Sequence, residues 1–248
     1  MQRIMLTLRY DGTAYHGWQV QPNAVTVQQT LQDAIEAVTG VRSGVIGCSR
    51  TDAGVHADMF CCTFDTASPL RGNKLCSALN FHLPADVAVY DACEVAADFH
   101  PRYGAAGKRY VYRIWNGAQR HPVYAGYALH RNAPLDVAVM NRVAAQFVGT
   151  HDFAAFCGAG SDLQGTTVRT IRACGVERQG DLVLFTVEGD GFLYNMVRIM
   201  VGTLLEIAAG RLAEDSIPAI LESGDRGMAG PTAPAHGLCL EQVFYDHL

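Results

Sequence analysis

One aspartate, Asp52, stands in the run Arg50-Thr51-Asp52-Ala53-Gly54-Val55-His56-Ala57, between two strand-like segments. Loops held by a rigid sheet are where chemistry concentrates. The small pair Ala53-Gly54 leaves room beside the carboxylate for another backbone or a base. A carboxylate so placed can serve as a nucleophile or a proton acceptor. It can equally cap its own turn, as aspartate often does. Arg50, two positions earlier, can pair with Asp52 or reach past it. A second residue bears on the choice. Arg198 lies in Met196-Val197-Arg198-Ile199-Met200-Val201, on a helix apolar on most faces. A buried guanidinium without a counter-charge costs several kcal/mol, so it calls for a carboxylate. Glu206 lies two turns along the same helix, too far for a direct pair. Asp52 is a candidate from the other half, and such pairing lowers a carboxylate pKa by about one to three units. The other reading leaves the Arg198 stem buried and its head in solvent.

Phe99-His100-Pro101-Arg102-Tyr103 and Lys108-Arg109-Tyr110-Val111-Tyr112-Arg113 interleave aromatic and basic side chains. Faces for bases and cations for phosphates suit a flipped or single-stranded nucleotide. An ordinary strand with alternating faces fits Arg109 to Arg113 as well. The loop from Tyr10 to Gln19 holds Tyr15, His16 and Trp18 beside Gly12 and Gly17, too many rings for a plain turn. No phosphate-binding glycine fingerprint, P-loop or nucleophile elbow occurs in the chain. His16, His56 and His100 lack metal-ligand spacing and read as hydrogen-bonding structural residues. The eight cysteines include no Cys-x-x-Cys pair and sit mostly in apolar runs, as small buried hydrophobes.

These residues need elements to hold them. The first half reads β-α-β-β-α-β. A strand spans Ile4 to Tyr10, and a helix opens at Thr26 with Gln29 three residues on, a capping box. Val27, Leu31, Ala34, Ile35 and Val38 form the stripe of that helix, and Gly40 ends it. Strands follow at Gly44 to Cys48 and Met59 to Asp65. Ser68-Pro69 caps a helix from Leu70 to Phe81, and a strand at Val87 to Val95 closes the half. The second half repeats the order. A strand spans Arg109 to Asn116 and a helix Asp136 to Val148. Strands at Val168 to Glu177 and Leu182 to Glu188 meet at Gln179-Gly180-Asp181. Helices follow from Phe192 to Ala209 and Ile217 to Leu221, then a strand from Leu238 to Tyr245. The expected class is α+β: two ferredoxin-like halves, 1–105 with the Asp52 loop and 106–248, with mainly antiparallel sheets flanking a central cleft.

The 248 residues suffice for such a core, and a hydrophobic share of 49% against 17% charged describes a folded protein. Met1 to Tyr10 alternates like a strand rather than forming a leader. Asn195, Arg198 and Glu206 interrupt the longest apolar stretch, which argues against a membrane span and for a cytoplasmic protein. A net charge of −5 is low for an RNA binder, yet 17 of the 19 basic residues are arginines. Their forks match phosphates and stack on bases, although a GC-rich genome produces the same bias.

Taken together, the motifs resemble the tRNA pseudouridine synthases of the TruA type along nearly the whole chain. The resemblance runs through Tyr10-Asp11-Gly12-Thr13, Gly17-Trp18-Gln19 and Thr26-Val27-Gln28. It continues through Arg50-Thr51-Asp52-Ala53-Gly54-Val55-His56-Ala57, Phe99-His100, Arg109-Tyr110, Asp152-Phe153, Gly191-Phe192, Met196-Val197-Arg198 and Thr232-Ala233-Pro234-Ala235 with Gly237-Leu238. It implies a pseudouridine synthase fold and the isomerisation of uridine at tRNA positions 38, 39 and 40, in the anticodon arm. It further implies a homodimer without metal or cofactor. Asp52 is then the nucleophile. Tyr110 stacks on the target uracil and serves in proton transfer, and Arg198 pairs with Asp52. Arg50 fills the space of the flipped base, and Leu238 packs beneath the uracil. Arg71, Phe99, His100, Arg102, Tyr103 and the loop near 160–164 touch tRNA. Three features depart from the family pattern. Ser49 stands where glycine is usual, Pro101 replaces a small residue, and the loop from Gly158 to Ser161 is poor in basic residues. Two other classes remain as contrasts: an RNA-binding module that only keeps the fold, and a glycosidase-like hydrolase using Asp52 with a second acid.

Overall fold

The computed structural model describes residues 1–160 and 165–246. The chain is α+β and divides into two compact units, Met1–Ala106 with Cys239–Leu248, and Gly107–Leu238.

In the first unit, strand β1 (Gln2–Tyr10) runs antiparallel to both of its neighbours, β3 (His56–Thr66) and β4 (Val87–Val95), and the short β2 (Ile46–Gly47) pairs antiparallel with β3. Ile4 to Leu8 are buried without a break, as suits a strand with neighbours on both edges and cover on both faces. Helix α1 (Val27–Thr39) starts as its sequence dictates: the Thr26 side chain accepts from the Gln29 N–H. It buries Val27, Leu31, Ala34 and Ile35, and Gly40 ends it in the left-handed conformation at φ 74°. The expected strand at Gly44 to Cys48 shrinks to two residues. Helix α2 (Gly72–His82) starts two residues later than its cap residues suggest. Gly72 has φ 49°, so a right-handed helix cannot run back through it to Leu70. Ser68 instead accepts from the Leu70 N–H, closing a local turn.

The second unit is built on β5 (Gly107–Trp115), β6 (Leu129–His130), β7 (Gly149–Asp152), β8 (Val168–Gln179) and β9 (Leu182–Gly189). The order β5-β9-β8-β7 is antiparallel throughout, and β6 lies parallel to β5. Gly180 at φ 63° makes the two-residue β8–β9 hairpin. Helix α3 (Val137–Ala144) is capped by Asp136 and tightens into a 3-10 turn through Phe147, so the expected helix to Val148 is split. β7 and β6 were not foreseen: they are short, and their partners are distant in sequence. Helix α4 (Met196–Ala208) buries ten of its thirteen residues. It begins four residues later than its apolar pattern suggests, because Asn195 is left-handed at φ 59°. Helix α5 (Ser216–Ser223) follows.

The last strand, β10 (Leu238–Phe244), sets Cys239 and Leu240 parallel to His56 and Ala57 of β3, so the chain end from Cys239 completes the first unit's sheet. All eight cysteines are free thiols. Burial pushes the Cys61 thiol up to about 12, leaving it an unreactive packing group. No helix among the described residues is long and apolar enough to cross a membrane, and no cluster of three or more His, Cys, Asp or Glu side chains among them is arranged to hold a metal ion.

Candidate functional site

The Asp52 loop joins β2 to β3 and is held by the loop that follows β1. Gly12 and Gly17 make that contact possible. A Cβ on Gly12 would lie 2.0 Å from the Val55 carbonyl oxygen, and one on Gly17 would lie 2.5 Å from that of Thr51. No side chain fits at either place. Gly17 also has φ 87°, which favours glycine on its own account. Main-chain bonds fasten the two loops: Trp18 N–H donates to Thr51 O at 3.1 Å, and Gly54 N–H to Tyr15 O at 3.2 Å. A turn bond from Val55 N–H to Asp52 O, 3.1 Å, folds the backbone around Ala53-Gly54.

The rings of the first loop anchor it from behind. Tyr10 and Thr51 share a hydroxyl hydrogen bond of 2.8 Å. Tyr15 OH donates to Asp86 at 2.7 Å, and burial, reinforced by that carboxylate, raises its pKa above the usual phenol value. Trp18 stacks on Phe60 with ring centres 4.0 Å apart, over Gly47, where a Cβ would strike the indole at 2.6 Å. His56 is buried at the start of β3. Its Nδ1 accepts from the Gly12 N–H at 3.1 Å and lies 3.1 Å from Asp11 Oδ1. Asp52 itself is half-buried, Arg50 exposed and Ser49 half-buried.

The other expected residues of this unit lie elsewhere on it. Arg71 donates to the Leu70 carbonyl at 2.6 Å and to the Ser68 carbonyl, which ties its head to its own loop. His100 Nδ1 accepts from the Arg102 and Tyr103 N–H groups at 3.2 and 3.3 Å. Its ring lies 4.3 Å from that of Tyr103, which is 79% exposed, with the Arg102 guanidinium 5.9 Å from the same ring. An exposed tyrosine flanked by an imidazole and an arginine is a platform on which a base can stack. Pro101 is buried, and its carbonyl accepts from Tyr245 OH at 2.8 Å; Phe99 packs against the Tyr245 ring at 5.5 Å.

Tyr110, Arg198 and Leu238 belong to the second unit. Arg198 sits on the first turn of α4 with its head fixed. Nε donates to Ala233 O and one terminal nitrogen to Asn195 Oδ1, both at 2.7 Å. Asn195 reaches that oxygen back because it is left-handed, just ahead of the helix. Ala233 is brought in by close packing on α4. A Cβ on Gly202 would lie 1.7 Å from Pro231 O, and Gly230 N–H donates to Thr203 Oγ1 at 2.9 Å. Ala233 N–H then donates to Arg198 O at 3.1 Å. Tyr110 is buried on β5, edge-on to Phe192 with ring centres 5.1 Å apart. Two residues along, Tyr112 OH donates to Pro234 O at 2.8 Å, and Gly237 lies against its ring, so both ends of the segment leading to the buried Leu238 are seated on β5. Burial pushes the Tyr112 phenol up, with Arg198 and Arg131 partly opposing it. The expected contact near 160–164 falls at 161–164 outside the described residues.

Sequence reading singled out Asp52, Tyr110 and Arg198 but not the residues that hold them. Gly12 and Gly17 carry the first task, with His56 in the hydrogen-bonding structural part expected of it; Asn195, Gly202 and Gly230 carry the second. The surplus of rings among the glycines of the first loop was the available signal for the former. For the latter there was only a glycine inside an otherwise apolar helix.

Comparison with known proteins bears directly on this arrangement. The sequence pattern of the tRNA pseudouridine synthase family matches residues 7–104 and 143–246. A protein of Clostridium kluyveri called tRNA pseudouridine synthase A is 47% identical over 245 residues, 99% of this chain and 100% of its own. Proteins of the same name from Acetivibrio thermocellus and Moorella thermoacetica are 48% and 47% identical, again over 99% of this chain and 100% of theirs. The chain belongs to the tRNA pseudouridine synthase family, isomerases that convert uridine to pseudouridine in tRNA.

Proposed function

We propose that this isomerase acts on uridines 38, 39 and 40 of the tRNA anticodon stem-loop, flipping each target base and using Asp52 as the nucleophile. The observation that carries this reading is the construction of the Asp52 loop. Two glycines without room for a side chain lock the backbone on both sides of one carboxylate, within a chain that aligns with a tRNA pseudouridine synthase A over 99% of its length. Such rigidity is what a group that must meet a sugar carbon needs.

The reaction breaks the N1–C1′ bond, turns the uracil and joins C5 to C1′. The C5 proton leaves and N1 takes one up, so nothing is oxidised or consumed, and no cofactor is called for. Unstacking the base costs a few kcal/mol. In this reading Arg50, exposed beside Asp52, fills the vacated stack; Tyr110 faces the uracil and moves the proton, and Leu238 lies beneath it. Arg198 holds Asp52 ionised; the two fixed acceptors on its head, Ala233 O and Asn195 Oδ1, support that role by setting its direction. The stretch 1–105 thus supplies the carboxylate, and 106–248 the base platform and the cation. Phe99, His100, Arg102, Tyr103 and Arg71 contact the tRNA, the exposed Tyr103 platform offering the plainest physical support. The enzyme works as a cytoplasmic homodimer, which sedimentation of the purified protein checks.

Release of tritium from tRNA carrying 5-tritiated uridine at single positions tests the reading. Release at 38, 39 and 40 and nowhere else is the expected result. Binding without release would identify an RNA-binding module, and free uracil a hydrolase.

A further inference from the structure

A well-formed cavity of the second unit contains none of the residues assigned above. It encloses about 710 Å³ at the C-terminal end of β5, within the size range of small-ligand sites. Three rings in mutual contact form its wall. Trp115 stacks near-parallel on Tyr124 with ring centres 5.4 Å apart, and His121 lies 4.6 Å from the indole and 4.8 Å from the phenol. The indole N–H is spent on the Gln119 carbonyl at 2.8 Å, which fixes the plane of the ring.

The polar part of the lining is one-sided. Arg120, His121, His130 and His236 face the space, and no Asp or Glu among the described residues lines it. That is a notable exclusion on a chain with a net charge of −5 and 24 acidic residues. His130 Nε2 is engaged with the Gly117 carbonyl at 3.0 Å. His121 Nδ1 is different: it is shielded from solvent and has no hydrogen-bond partner among the described residues. Buried ring nitrogens in folded proteins are almost always paired, which sets His121 apart on this wall.

From these observations we propose that the cavity is a second nucleotide subsite, taking a planar base against the Trp115–Tyr124 wall and its phosphate at Arg120. A base supplies the stacking face; the phosphate supplies the negative charge that a carboxylate-free wall admits. A nucleotide of the tRNA strand and a free mononucleotide share this chemistry. The inference rests on the RNA-modifying reading for the strand as the source, and the strand is the source we favour. His236, on the cavity wall, lies in the same segment as Ala233, which holds Arg198, and Leu238.

Trp115 reports on its own site. The chain has one other tryptophan, Trp18, which is buried against Phe60. Fluorescence of the full chain is titrated with tRNA, a single-stranded oligonucleotide and AMP, alongside Trp115→Phe and Arg120→Ala variants. Arg120 is exposed, so its loss leaves folding intact. Quenching by tRNA and by the oligonucleotide, absent in Trp115→Phe, is the expected result; quenching by AMP alone would mark a free nucleotide as the source. Arg120→Ala is expected to raise KM for tRNA by about five- to tenfold with a smaller change in kcat, the scale of losing one phosphate or stacking contact. Unchanged KM in both variants, or no quenching by any of the three, overturns the subsite. So does a variant that turns a dimer into a monomer with KM unchanged, which would assign the cavity to a subunit contact. Failure of the parent protein to release tritium is a separate result: it removes the activity while leaving the fluorescence titration to decide the subsite.

Discussion

The Asp52 loop and the start of α4 solve the same problem by different physical means. Around Asp52 the grip is backbone on backbone. Gly12 and Gly17 let one loop lie against another, and the side chains behind it are rings that add stiffness. Around Arg198 the grip is on the side chain itself, through two oxygens delivered by Asn195 and by a segment thirty-five residues further along the chain. A short carboxylate has little freedom once its backbone is fixed, so fixing the backbone suffices. A long guanidinium keeps its rotamers whatever the helix does, and has to be held at its head.

If this contrast is right, the two side chains fail differently. Asp52→Asn and Asp52→Ala are each expected to lower turnover by at least about 10³-fold, as loss of a nucleophile or base does elsewhere, while tRNA binding persists. Arg198→Met is expected to be milder, about 10²-fold. If Arg198 is the cation that keeps Asp52 ionised, the substitution should also move the acid limb of the pH–rate profile upward by about one unit or more. Tritium release across a pH series measures both. Near-normal turnover in either Asp52 variant would remove that residue from the chemistry, and an unmoved acid limb in Arg198→Met would separate the pair.

The glycines probe the two grips themselves. Gly12→Ala and Gly202→Ala each place a methyl where a carbonyl oxygen already stands, at 2.0 and 1.7 Å. Each should cost about 1–3 kcal/mol of stability, the usual range for overpacking, read by denaturant unfolding. Their kinetic signatures should part. Gly12→Ala displaces the Asp52 backbone and lowers kcat at every pH. Gly202→Ala pushes back the Pro231 segment that carries Ala233, and reproduces the acid-limb shift of Arg198→Met in weaker form. Identical profiles for the two would erase the distinction between the grips.

The same contrast explains what the sequence made legible. The Thr26–Gln29 start of α1, the Gly40 stop and the Gly180 hairpin are settled within a few residues, and their patterns state them outright. The Asp52 loop was legible as a motif because its special residues, Gly54 included, are contiguous. The late start of α4 was not. An asparagine inside an apolar run reads as helix until its left-handed backbone is seen, and that conformation serves Arg198 rather than the helix. Nor was the place of β10, whose parallel pairing with β3 joins residues more than 180 positions apart. Long-range pairings of this kind leave no local periodicity to read.

Asn195→Gly isolates the side-chain half of the second grip. Glycine adopts φ 59° freely, so the backbone ahead of α4 stays and only the acceptor for Arg198 is lost. With Ala233 O still in place, the expected loss of turnover is about three- to tenfold, the worth of one charge-assisted hydrogen bond at a half-buried site. Asn195→Ala should do worse, because it adds backbone strain to the same loss. Equal activity in the two variants would mean that the left-handed turn contributes nothing beyond the oxygen it presents.

The smallest effect expected concerns the strands on which the first grip rests. Arg3 and Asp65 face each other in the β1–β3 register and join through a two-pronged ion pair at 2.9 Å. The Arg3 guanidinium holds the Asp65 carboxyl below the usual carboxylate value. The bridge therefore stabilises the fold at any pH above the unfolded carboxylate pKa of about 3.9, and this contribution is lost as the pH falls through the lower folded value. Solvent reaches nearly half of the Asp65 side chain, so the contribution is small and salt weakens it. Asp65→Asn should lower the unfolding midpoint slightly at pH 7, and the gap to the parent should close below pH 4. If Asp65→Asn also lowered kcat at neutral pH, the β1–β3 strands would belong to the machinery that sets Asp52, and the grip would extend beyond its two loops.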